Sequence, residues 1–346
     1  VKNAGVIIGT EKTINPIGRS ILGFASCVGL EQSTIDVCVI DTDEATNVEL
    51  LLDEINNTDR KTVVGYRENI RYVEHICKRY VKKTPIIPRD DDVVVILGGY
   101  GGIGLAVSNY LFEHNSGMKI VLLSRTGAAD NTNDQRFAHL QQLISKGYQI
   151  SVRKADVTNR KEVSEAINKV REEYGHIDGV IYAAGIGEGG ILLNKTWNDE
   201  WKIIKAKALG VWNIDMETCN DDLRYFIMFS SVTSLFGTAG QAGYAAANAF
   251  LDSYVLCGSH KNCVTMTINW NGWKESGMAF NWGVDMSQGK LHYVSDEEGR
   301  ALFGAAMRTG LRRIAILRFR DKLSIHEYEE LQRRIKLPEE YVMSNE

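Results

Sequence analysis

The chain lacks a long hydrophobic run and a strong excess of either charge. Its longest apolar runs, such as Val93–Leu97 and residues 120–123, are far too short to span a bilayer. The formal net charge of -4 over 346 residues provides no basic field for nucleic acid or an anionic membrane. Hydrophobic residues make up 44% and charged residues 24%, which is ordinary for a globular protein. We therefore expect a soluble protein that binds neither nucleic acid nor a membrane.

The sequence also lacks a signal peptide and the cysteine spacing of a disulfide framework. Its six cysteines are scattered, which is typical of a reducing compartment and favours a cytoplasmic location. Cys257, His260 and Cys263 have the spacing of half a metal site. No second pair of ligands accompanies them, so we expect buried or surface thiols and no metal. Because the chain begins at Val1 without Met, we expect a fragment of a longer polypeptide.

A boundary between two regions is predicted near residue 88. Pro85 and Pro88 are followed by a charged run at 89–92. We therefore expect one domain at 1–88 and a second at 89–346. The apolar patterns of the first region predict part of a Rossmann-like α/β unit that lacks a glycine-rich loop. Its predicted elements are strands at 5–8, 35–40 and 62–66 and helices at 19–30 and 48–55.

The second region alternates strands with helices from residue 93 to residue 317. Val93–Leu97 is a continuous apolar run of the kind that a parallel sheet buries on both faces. Strict alternation predicts an α/β fold of the Rossmann type, with a doubly wound parallel sheet. The other predicted strands lie at 119–123, 149–152, 179–183, 225–229, 264–269 and 313–317, and the helices at 105–114, 134–146, 163–174, 197–219, 244–257 and 295–308.

A glycine-rich loop follows the first strand of the second region and precedes a helix. Such a loop lets backbone N–H groups and the helix N-terminus hold a pyrophosphate. Its glycines have the spacing Gly-x-x-x-Gly-x-Gly, a longer loop than the common dinucleotide fingerprint. The predicted cofactor-binding residues of this loop are Gly98, Tyr100, Gly101, Gly102, Ile103 and Gly104.

The charge at the end of the next strand indicates which dinucleotide binds. Arg125 could pair with a 2′-phosphate and Ser124 could donate to it, whereas NAD favours an acidic residue there. These residues predict NADPH, unless Arg125 is only a solvated residue at a strand end. After the third strand, Asp156 and Val157 are placed to edge the adenine. The small residues expected at the nicotinamide ribose are Ala183, Ala184 and Gly185.

Small residues surround a single tyrosine between residues 229 and 252. Tyr244 and Asn248 lie four positions apart on a predicted Ala-rich helix, so both side chains emerge on one face. Ser230 and Ser231 follow the preceding strand. Taken alone, this pattern is equally compatible with a tyrosine and an asparagine in a buried core.

Together these residues resemble the short-chain dehydrogenase/reductase family. More narrowly, the chain resembles the ketoreductase domains of modular polyketide synthases over nearly its whole length. Residues 203–212 look like the lysine motif of that subfamily, and residues 229–252 look like its Ser–Tyr–Asn block. In most short-chain reductases the lysine follows the tyrosine by four positions, but here that position is Asn248 and the lysine is Lys207, on an earlier helix. The first region resembles a truncated form of the family's structural subdomain.

The resemblance implies an NADPH-dependent ketoreductase with four catalytic residues. Tyr244 would be the general acid that passes its proton to the ketone oxygen. Ser231 would donate a second hydrogen bond to that oxygen. Lys207 would favour the phenolate form of the tyrosine, and Asn248 would hold the proton relay.

The resemblance also implies the substrate and the partners. Substrates of the family are acyl chains tethered by a thioester to the phosphopantetheine arm of an acyl carrier protein. The neighbouring domains of the same megasynthase would be further partners. A lid that excludes water is expected at 277–289. The predicted substrate and lid residues are Glu188, Gly189, Phe236, Gln241 and Met278.

Two departures from the family pattern bear on the product. Members that give one hydroxyl configuration carry Leu-Asp-Asp where this chain has Gly187, Glu188 and Gly189, so Gly189 replaces the second Asp. Members of the other type often carry Trp where this chain has Phe236. The missing Asp favours the L-hydroxyl (A-type) product.

Several alternatives are compatible with the same residues. Ser230 could serve in place of the neighbouring serine, and the predicted lysine could be a solvated residue like Lys202 and Lys205. The ketone could lie α rather than β to the thioester. The chain could also be a fatty-acid-type or free-standing reductase, an epimerising domain, or a catalytically silent scaffold.

Overall fold

Two separate β-sheets divide the molecule, one of three strands and one of seven. The computed structural model describes residues 2, 5–9, 14–31, 35–57, 63–77, 88–128, 134–258, 260, 263–287 and 290–320. We refer to residues 1–88, with the smaller sheet, as the first lobe and to residues 89–346 as the second lobe. The sheets fall on either side of the predicted boundary, and the division at residue 88 stays a prediction.

The first lobe has a small mixed sheet and two helices. Its elements are the strands β1 (Val39–Asp41), β2 (Val63–Arg67) and β3 (Ile70–Tyr72) and the helices α1 (Pro16–Glu31) and α2 (Val48–Asn56). β1 runs parallel to β2, and β2 pairs with β3 in antiparallel fashion. Both predicted helices and the strand expected at 62–66 are confirmed, whereas the strand expected at 35–40 begins only at Val39.

The strand predicted at 5–8 is wrong, because a side chain takes the hydrogen bonds that a strand would need. The backbone N–H groups of Gly5 and Val6 donate to Asp41 Oδ2 at 2.8 and 2.9 Å. The same carboxylate is ion-paired with Arg67 Nη2 at 2.7 Å, inside the lobe. Local apolar composition does not reveal such a competitor for the backbone.

The second lobe contains a parallel sheet in which strand order reverses. Its strands are β4 (Val93–Leu97), β5 (Lys119–Ser124), β6 (Gln149–Lys154), β7 (Gly179–Tyr182), β8 (Tyr225–Ser231), β9 (Val264–Trp270) and β10 (Arg313–Ala315). The order is β10-β9-β8-β7-β4-β5-β6, and every neighbouring pair is parallel. The predicted doubly wound sheet is confirmed. The chain builds outward from β4 on one side and then from β7 on the other, and sheets of this type bind ligands at such a switch point.

Helices cover both faces of this sheet, as the alternation of elements predicts. They are α3 (Gly102–His114), α4 (Gln135–Ser145), α5 (Arg160–Tyr174), α6 (Trp197–Thr218), α7 (Thr233–Phe236), α8 (Ala242–Tyr254), α9 (Gly277–Asn281) and α10 (Asp296–Met307), with a 3-10 turn at Leu192–Asn194. One buried cluster joins the sheet to α3, α4 and α10, and another joins it to α5, α6 and α8. Within the described ranges, no helix is both long enough and apolar enough to cross a membrane.

The first lobe packs directly on the helix that carries the predicted tyrosine. A Cβ added to Gly23 of α1 would stand 2.5 Å from the carbonyl oxygen of Ala245 in α8 and 2.9 Å from the Cβ of Ala249. The two helices therefore approach closely through small residues. This contact fixes the position of α8 from the side opposite the sheet.

Candidate active site

A cleft of about 940 Å³ opens at the carboxyl ends of the central strands. This is the edge at which parallel α/β sheets bind their ligands. The predicted residues that line it are Gly98, Tyr100, Gly101, Gly102, Ile103, Gly104, Ser124, Arg125, Asp156, Val157, Ala183, Ala184, Gly185, Glu188, Lys207, Ser231, Phe236, Gln241, Tyr244 and Met278. Of the other two predicted residues, Gly189 is not among the lining residues and Asn248 is fully buried behind them.

The glycine-rich loop forms a narrow backbone cradle between β4 and α3. Gly98 has a φ of +72°, and a Cβ there would stand 2.6 Å from the Cα of Ala184. Helix α3 begins at Gly102 after Gly101, which provides no side-chain cap for the first N–H groups. Uncapped N–H groups at a helix start favour an anion. The cradle therefore fits the pyrophosphate of a dinucleotide, and side chains at these glycines would fill it.

Two arginines lie at the end of the cleft where the adenosine is expected. Arg125 is exposed and follows β5, as predicted. Arg136 of α4 also lines the cleft, with its guanidinium carbon 5.4 Å from the centre of the Tyr100 ring. The sequence alone does not indicate Arg136, because only the fold brings α4 beside the end of β5. The Arg136 guanidinium is already ion-paired with Asp134, with its Nη2 2.5 Å from Asp134 Oδ2.

The predicted adenine-edge residues form a well-defined turn after β6. Asp156 Oδ1 accepts hydrogen bonds from the backbone N–H and the hydroxyl of Thr158, both at 2.8 Å. Asn213 of α6 donates to the carbonyl oxygen of Val157 at 2.9 Å. Helix α6 therefore holds this turn in place, and both Asp156 and Val157 line the cleft.

Tyr244 lies in the first turn of α8 with two polar side chains around its ring. Burial raises the pKa of Tyr244, while hydrogen bonding by Asn248 and Ser231 acts in the opposite direction. The hydroxyl is therefore protonated at neutral pH and available as a proton donor. Asn248 Nδ2 also donates to the carbonyl oxygen of Tyr244 at 2.8 Å, which stabilises the helical turn between these two residues.

Lys207 reaches the same point from α6. Its Nζ donates to the carbonyl oxygen of Phe229 at 2.6 Å and lies 5.9 Å from the centre of the Tyr244 ring. Burial lowers the pKa of Lys207 to about 7, although the charge of Asp252 acts in the opposite direction. Gly185 leaves room for this lysine, because a Cβ there would stand 3.0 Å from Lys207 Cε.

The alternative lysines also line the cleft but do not share this position. Lys202 Nζ pairs with Asp199 at 3.4 Å and its side chain is 59% exposed. Lys205 is half-buried at the cleft wall. Lys207 is the lysine that the structure places beside the tyrosine.

The two serines at the end of β8 have different partners. Ser230 Oγ donates to the carbonyl oxygen of Asn248 at 3.2 Å and accepts from Asn269 Nδ2 at 3.1 Å. Ser231 Oγ lies 3.0 Å from the hydroxyl of Thr233, and the Ser231 hydroxyl acts to lower the pKa of Tyr244. Ser230 is therefore engaged with the interior, whereas Ser231 faces the tyrosine.

The substrate side of the cleft combines a loop, a short helix and the expected lid. A Cβ added to Gly187 would stand 2.5 Å from the Trp282 ring and 2.9 Å from Met278 Sδ, so the lid covers the loop after β7. Helix α9 forms the start of this lid, and residues 288–289 of the predicted lid lie outside the described residues. Phe236 lies on α7, a short helix that the sequence analysis did not predict.

The Cys-x-x-His-x-x-Cys pattern lies away from this cleft. His260 Nε2 is 3.2 Å from Asp215 Oδ1, and the hydroxyl of Tyr254 donates to the same carboxylate at 2.5 Å. Burial raises the pKa of the Cys263 thiol to about 12, which disfavours the thiolate that a metal would need. In the part of the chain that the structure describes, no three His, Cys, Asp or Glu residues are grouped to hold a metal.

Comparison with known proteins identifies the relatives of this chain. A model of the KR domain family matches residues 93–275, which is more than half of the chain. Polyketide synthase PksN of Bacillus subtilis (strain 168) is 32% identical over 268 residues, covering 74% of this chain and 5% of that protein. The chain therefore spans only a small part of this curated relative.

Solved structures show the same fold. A ketoreductase domain from the bacillaene assembly line has a TM-score of 0.78 at 24% identity, covering 91% of this chain and 76% of that chain. The first ketoreductase of the tylosin PKS has a TM-score of 0.80 at 22% identity, covering 99% of this chain and 72% of that chain.

Proposed function

The chain belongs to the KR domain family, the ketoreductase domains of polyketide synthases, and from this premise we propose that it reduces the β-ketone of a carrier-bound acyl thioester with NADPH. Family membership makes the chain an oxidoreductase that reduces ketones with a nicotinamide cofactor. The β position of the ketone, the choice of NADPH, the configuration of the product and the residue roles belong to the proposal.

One observation carries the proposal: Tyr244, Ser231 and Lys207 converge beside the glycine cradle. They come from three different elements, α8, β8 and α6, so their meeting is a property of the fold and not of sequence proximity. A proton donor, a second hydroxyl and a buried cation at one end of a dinucleotide cleft form the set that carbonyl reduction requires.

The bound cofactor supplies the hydride, and the side chains manage the charge that develops on the ketone oxygen. Tyr244 donates its phenolic proton to this oxygen. Ser231 donates a second hydrogen bond to it, which stabilises negative charge in the transition state. The Lys207 ammonium favours the phenolate left on Tyr244, and Asn248 holds the turn of α8 that orients the tyrosine.

The preference for NADPH rests on the positive end of the cleft. Arg125 offers a planar guanidinium group that suits a phosphate, and Ser124 can add a hydroxyl. Arg136, whose Nε and Nη2 pair with Asp134, lines the same end of the cleft. No acidic residue directly follows β5 at the position where NAD-binding sites place one. We propose that the 2′-phosphate binds between the two arginines.

The product proposed for this cleft is the L-hydroxyl (A-type). Gly189 offers no carboxylate at the position of the second Asp of the Leu-Asp-Asp pattern, and Phe236 rather than Trp lines the cleft. The acyl group is delivered on the phosphopantetheine arm of an acyl carrier protein, with neighbouring domains of the same synthase alongside. Within the chain, we propose that residues 1–88 are structural and residues 89–346 catalytic.

A panel of small acyl thioesters tests this function. The chain should oxidise NADPH faster than NADH with a β-keto acyl thioester and should give one configuration of the alcohol in chiral analysis. Faster reduction of α-keto thioesters would move the ketone to the α position. NADPH binding without turnover on any ketone would instead support a silent scaffold. Deuterium exchange at the α-carbon without net reduction would support an epimerising domain.

A further inference from the structure

The peptide groups of Gly240 are held by two side chains of opposite charge. Glu31 Oε1 accepts a hydrogen bond from the Gly240 N–H at 2.8 Å. Lys195 Nζ donates to the Gly240 carbonyl oxygen at 3.3 Å. Glu31 ends helix α1 of the first lobe, whereas Lys195 follows the 3-10 turn after β7. Two distant parts of the chain thus grip one residue of the turn before α8.

The same two side chains also hold the loop that follows β7. The second carboxylate oxygen of Glu31 accepts from the Leu192 N–H at 2.6 Å. Lys195 Nζ donates to the carbonyl oxygen of Glu188 at 2.8 Å. We call Glu31, Lys195 and these backbone contacts the clasp. It ties together the loop after β7 and the turn before α8 beside the substrate side of the cleft.

The clasp is charged, largely sheltered from water and closely fitted. The Lys195 side chain is 7% exposed, and its Nζ lies 2.9 Å from Glu200 Oε1, whose side chain is 5% exposed. Charges in such a place are costly unless they are paired in good geometry, so the arrangement tolerates little displacement. Gly240 has a φ of +79°, and a Cβ there would stand 3.3 Å from the Gly190 N atom. The loop and the turn are therefore in contact.

The position of the clasp connects it to the reacting groups. Gly240 precedes Gln241, which occupies the N-cap position of α8, and Tyr244 lies in the first turn of that helix. Glu188 lines the cleft on the loop held by Lys195. The clasp therefore sets the separation between the loop wall and the tyrosine hydroxyl. A carbonyl group that enters between them must present one of its two faces to the cofactor.

We propose that Glu31 and Lys195 are positioning residues that fix the face on which the ketone is reduced. The inference rests on the proposed function and extends it to residues that touch neither the ketone nor the cofactor. Through Glu31, the first lobe takes a direct part in selectivity. The packing of the first lobe against α8 alone would not give it this part.

The test compares Glu31→Gln and Lys195→Met with two matched controls in the full chain. Glutamine offers only one oxygen to the two N–H groups that Glu31 binds, and methionine keeps the length of Lys195 without its charge. Glu44→Gln and Lys161→Met are the controls, because both side chains are exposed and lie outside the cleft. Each variant is assayed for the ratio of the two alcohol products, for kcat and KM with the ketone, and for NADPH affinity.

Each clasp variant should lower the ratio of the two alcohol products by about tenfold. The reason is that losing a hydrogen bond to a charged group weakens an interaction by a factor of about ten or more. The KM for the ketone should rise while NADPH affinity stays within about twofold, because the cradle is untouched. Lys195→Arg should restore part of the ratio, since it keeps the charge. The controls should match the unmodified chain.

Four results would contradict the inference. The variants could lose thermal stability while the molecules that stay folded keep the same product ratio. That result would show that the clasp is a structural contact without a role in selectivity. A loss of NADPH affinity as large as the loss of product ratio would show that the clasp acts on the glycine cradle instead. An active unmodified chain whose two clasp variants keep the same ratio would overturn this inference alone, whereas an unmodified chain that reduces no ketone would overturn the proposed function as well.

Discussion

The two lobes of this chain stabilise their interiors in different ways. Buried ion pairs occupy the interior of the first lobe, as in the bidentate contact of Arg19 with Glu74 at 2.6 Å. The second lobe instead buries a continuous apolar sheet, of which Val93–Leu97 is fully covered. Its predicted cofactor-binding and catalytic residues lie at the carboxyl ends of the strands, where the cleft lies.

This difference indicates a division of labour. A three-stranded sheet with two helices buries little apolar surface, and Ile17, Val48 and Leu52 remain exposed on its helices. Its ion pairs fix orientation more than they add stability. The first lobe contributes to the site by packing α1 on α8 and by placing Glu31 against the backbone of the turn before α8. The second lobe supplies the groups that would bind and reduce.

Replacing one tyrosine in each lobe should separate these roles most strongly. Tyr244→Phe removes the proposed proton donor and should lower kcat for ketone reduction by about 100- to 10,000-fold, the range of general acid catalysis. Tyr66→Phe removes the hydrogen bond to the buried Glu54 carboxylate at 2.8 Å and should cost about 1.5–3 kcal/mol of unfolding free energy while leaving turnover unchanged. Turnover and urea unfolding of both variants give the comparison. Equal turnover losses would contradict it.

Breaking the ion pair of the first lobe should be a stability change first. Arg19→Met leaves the Glu74 carboxylate buried, with Arg313 Nη1 3.7 Å away. We expect a loss of about 3–5 kcal/mol in unfolding free energy, measured by urea titration. The double variant Arg19→Met with Glu74→Met should recover only part of it, because the buried Arg313 guanidinium then loses its ion pair with Glu74. A single variant as stable as the unmodified chain would show that the pair does not hold the lobe.

The buried cation of the second lobe should behave in the opposite way. Among the described residues Lys207 forms no ion pair, and burial lowers its pKa to about 7 from the ordinary 10.5. Between these values the unfolded chain holds a proton that the folded chain releases, so unfolding free energy rises with pH. The slope contributed by this group is about 1.4 kcal/mol per pH unit.

Lys207→Met should therefore be more stable than the unmodified chain below pH 7, with a difference that shrinks as pH rises. Urea unfolding at several pH values between 6 and 10 measures this difference. Lys161→Met, at an exposed position of α5, serves as the control and should leave the slope unchanged. A stability difference between Lys207→Met and the unmodified chain that stays constant with pH would contradict the lowered pKa of Lys207.

The smallest expected effect concerns the choice of cofactor. Arg125→Ala should weaken NADPH binding by about tenfold or more, because it removes one charged hydrogen-bonding partner of the phosphate. NADH binding should change little. Fluorescence titration of both cofactors measures the ratio, and an equal loss for the two would place Arg125 outside the phosphate site. Substituting an arginine of the first lobe should leave the ratio of NADPH affinity to NADH affinity unchanged.

The sequence allowed the framework of the second lobe to be predicted because its signals are local. The apolar run before Gly98 and the spacing of Tyr244 and Asn248 depend only on neighbouring residues. Contacts such as that of Glu31 with the Gly240 N–H join positions 209 residues apart, and no local pattern announces them. The failed strand at 5–8 has the same cause, since Asp41 takes its hydrogen bonds from a distant position.

One measurement tests the central claim that the second lobe is a working reductase. The chain is incubated with a β-keto acyl thioester and NADPH that carries deuterium at its transferable position. The account predicts one alcohol configuration with a single deuterium on the new hydroxyl-bearing carbon, and one NADPH consumed per alcohol formed. Tight NADPH binding with no labelled alcohol from any ketone would contradict it and would make the chain a scaffold.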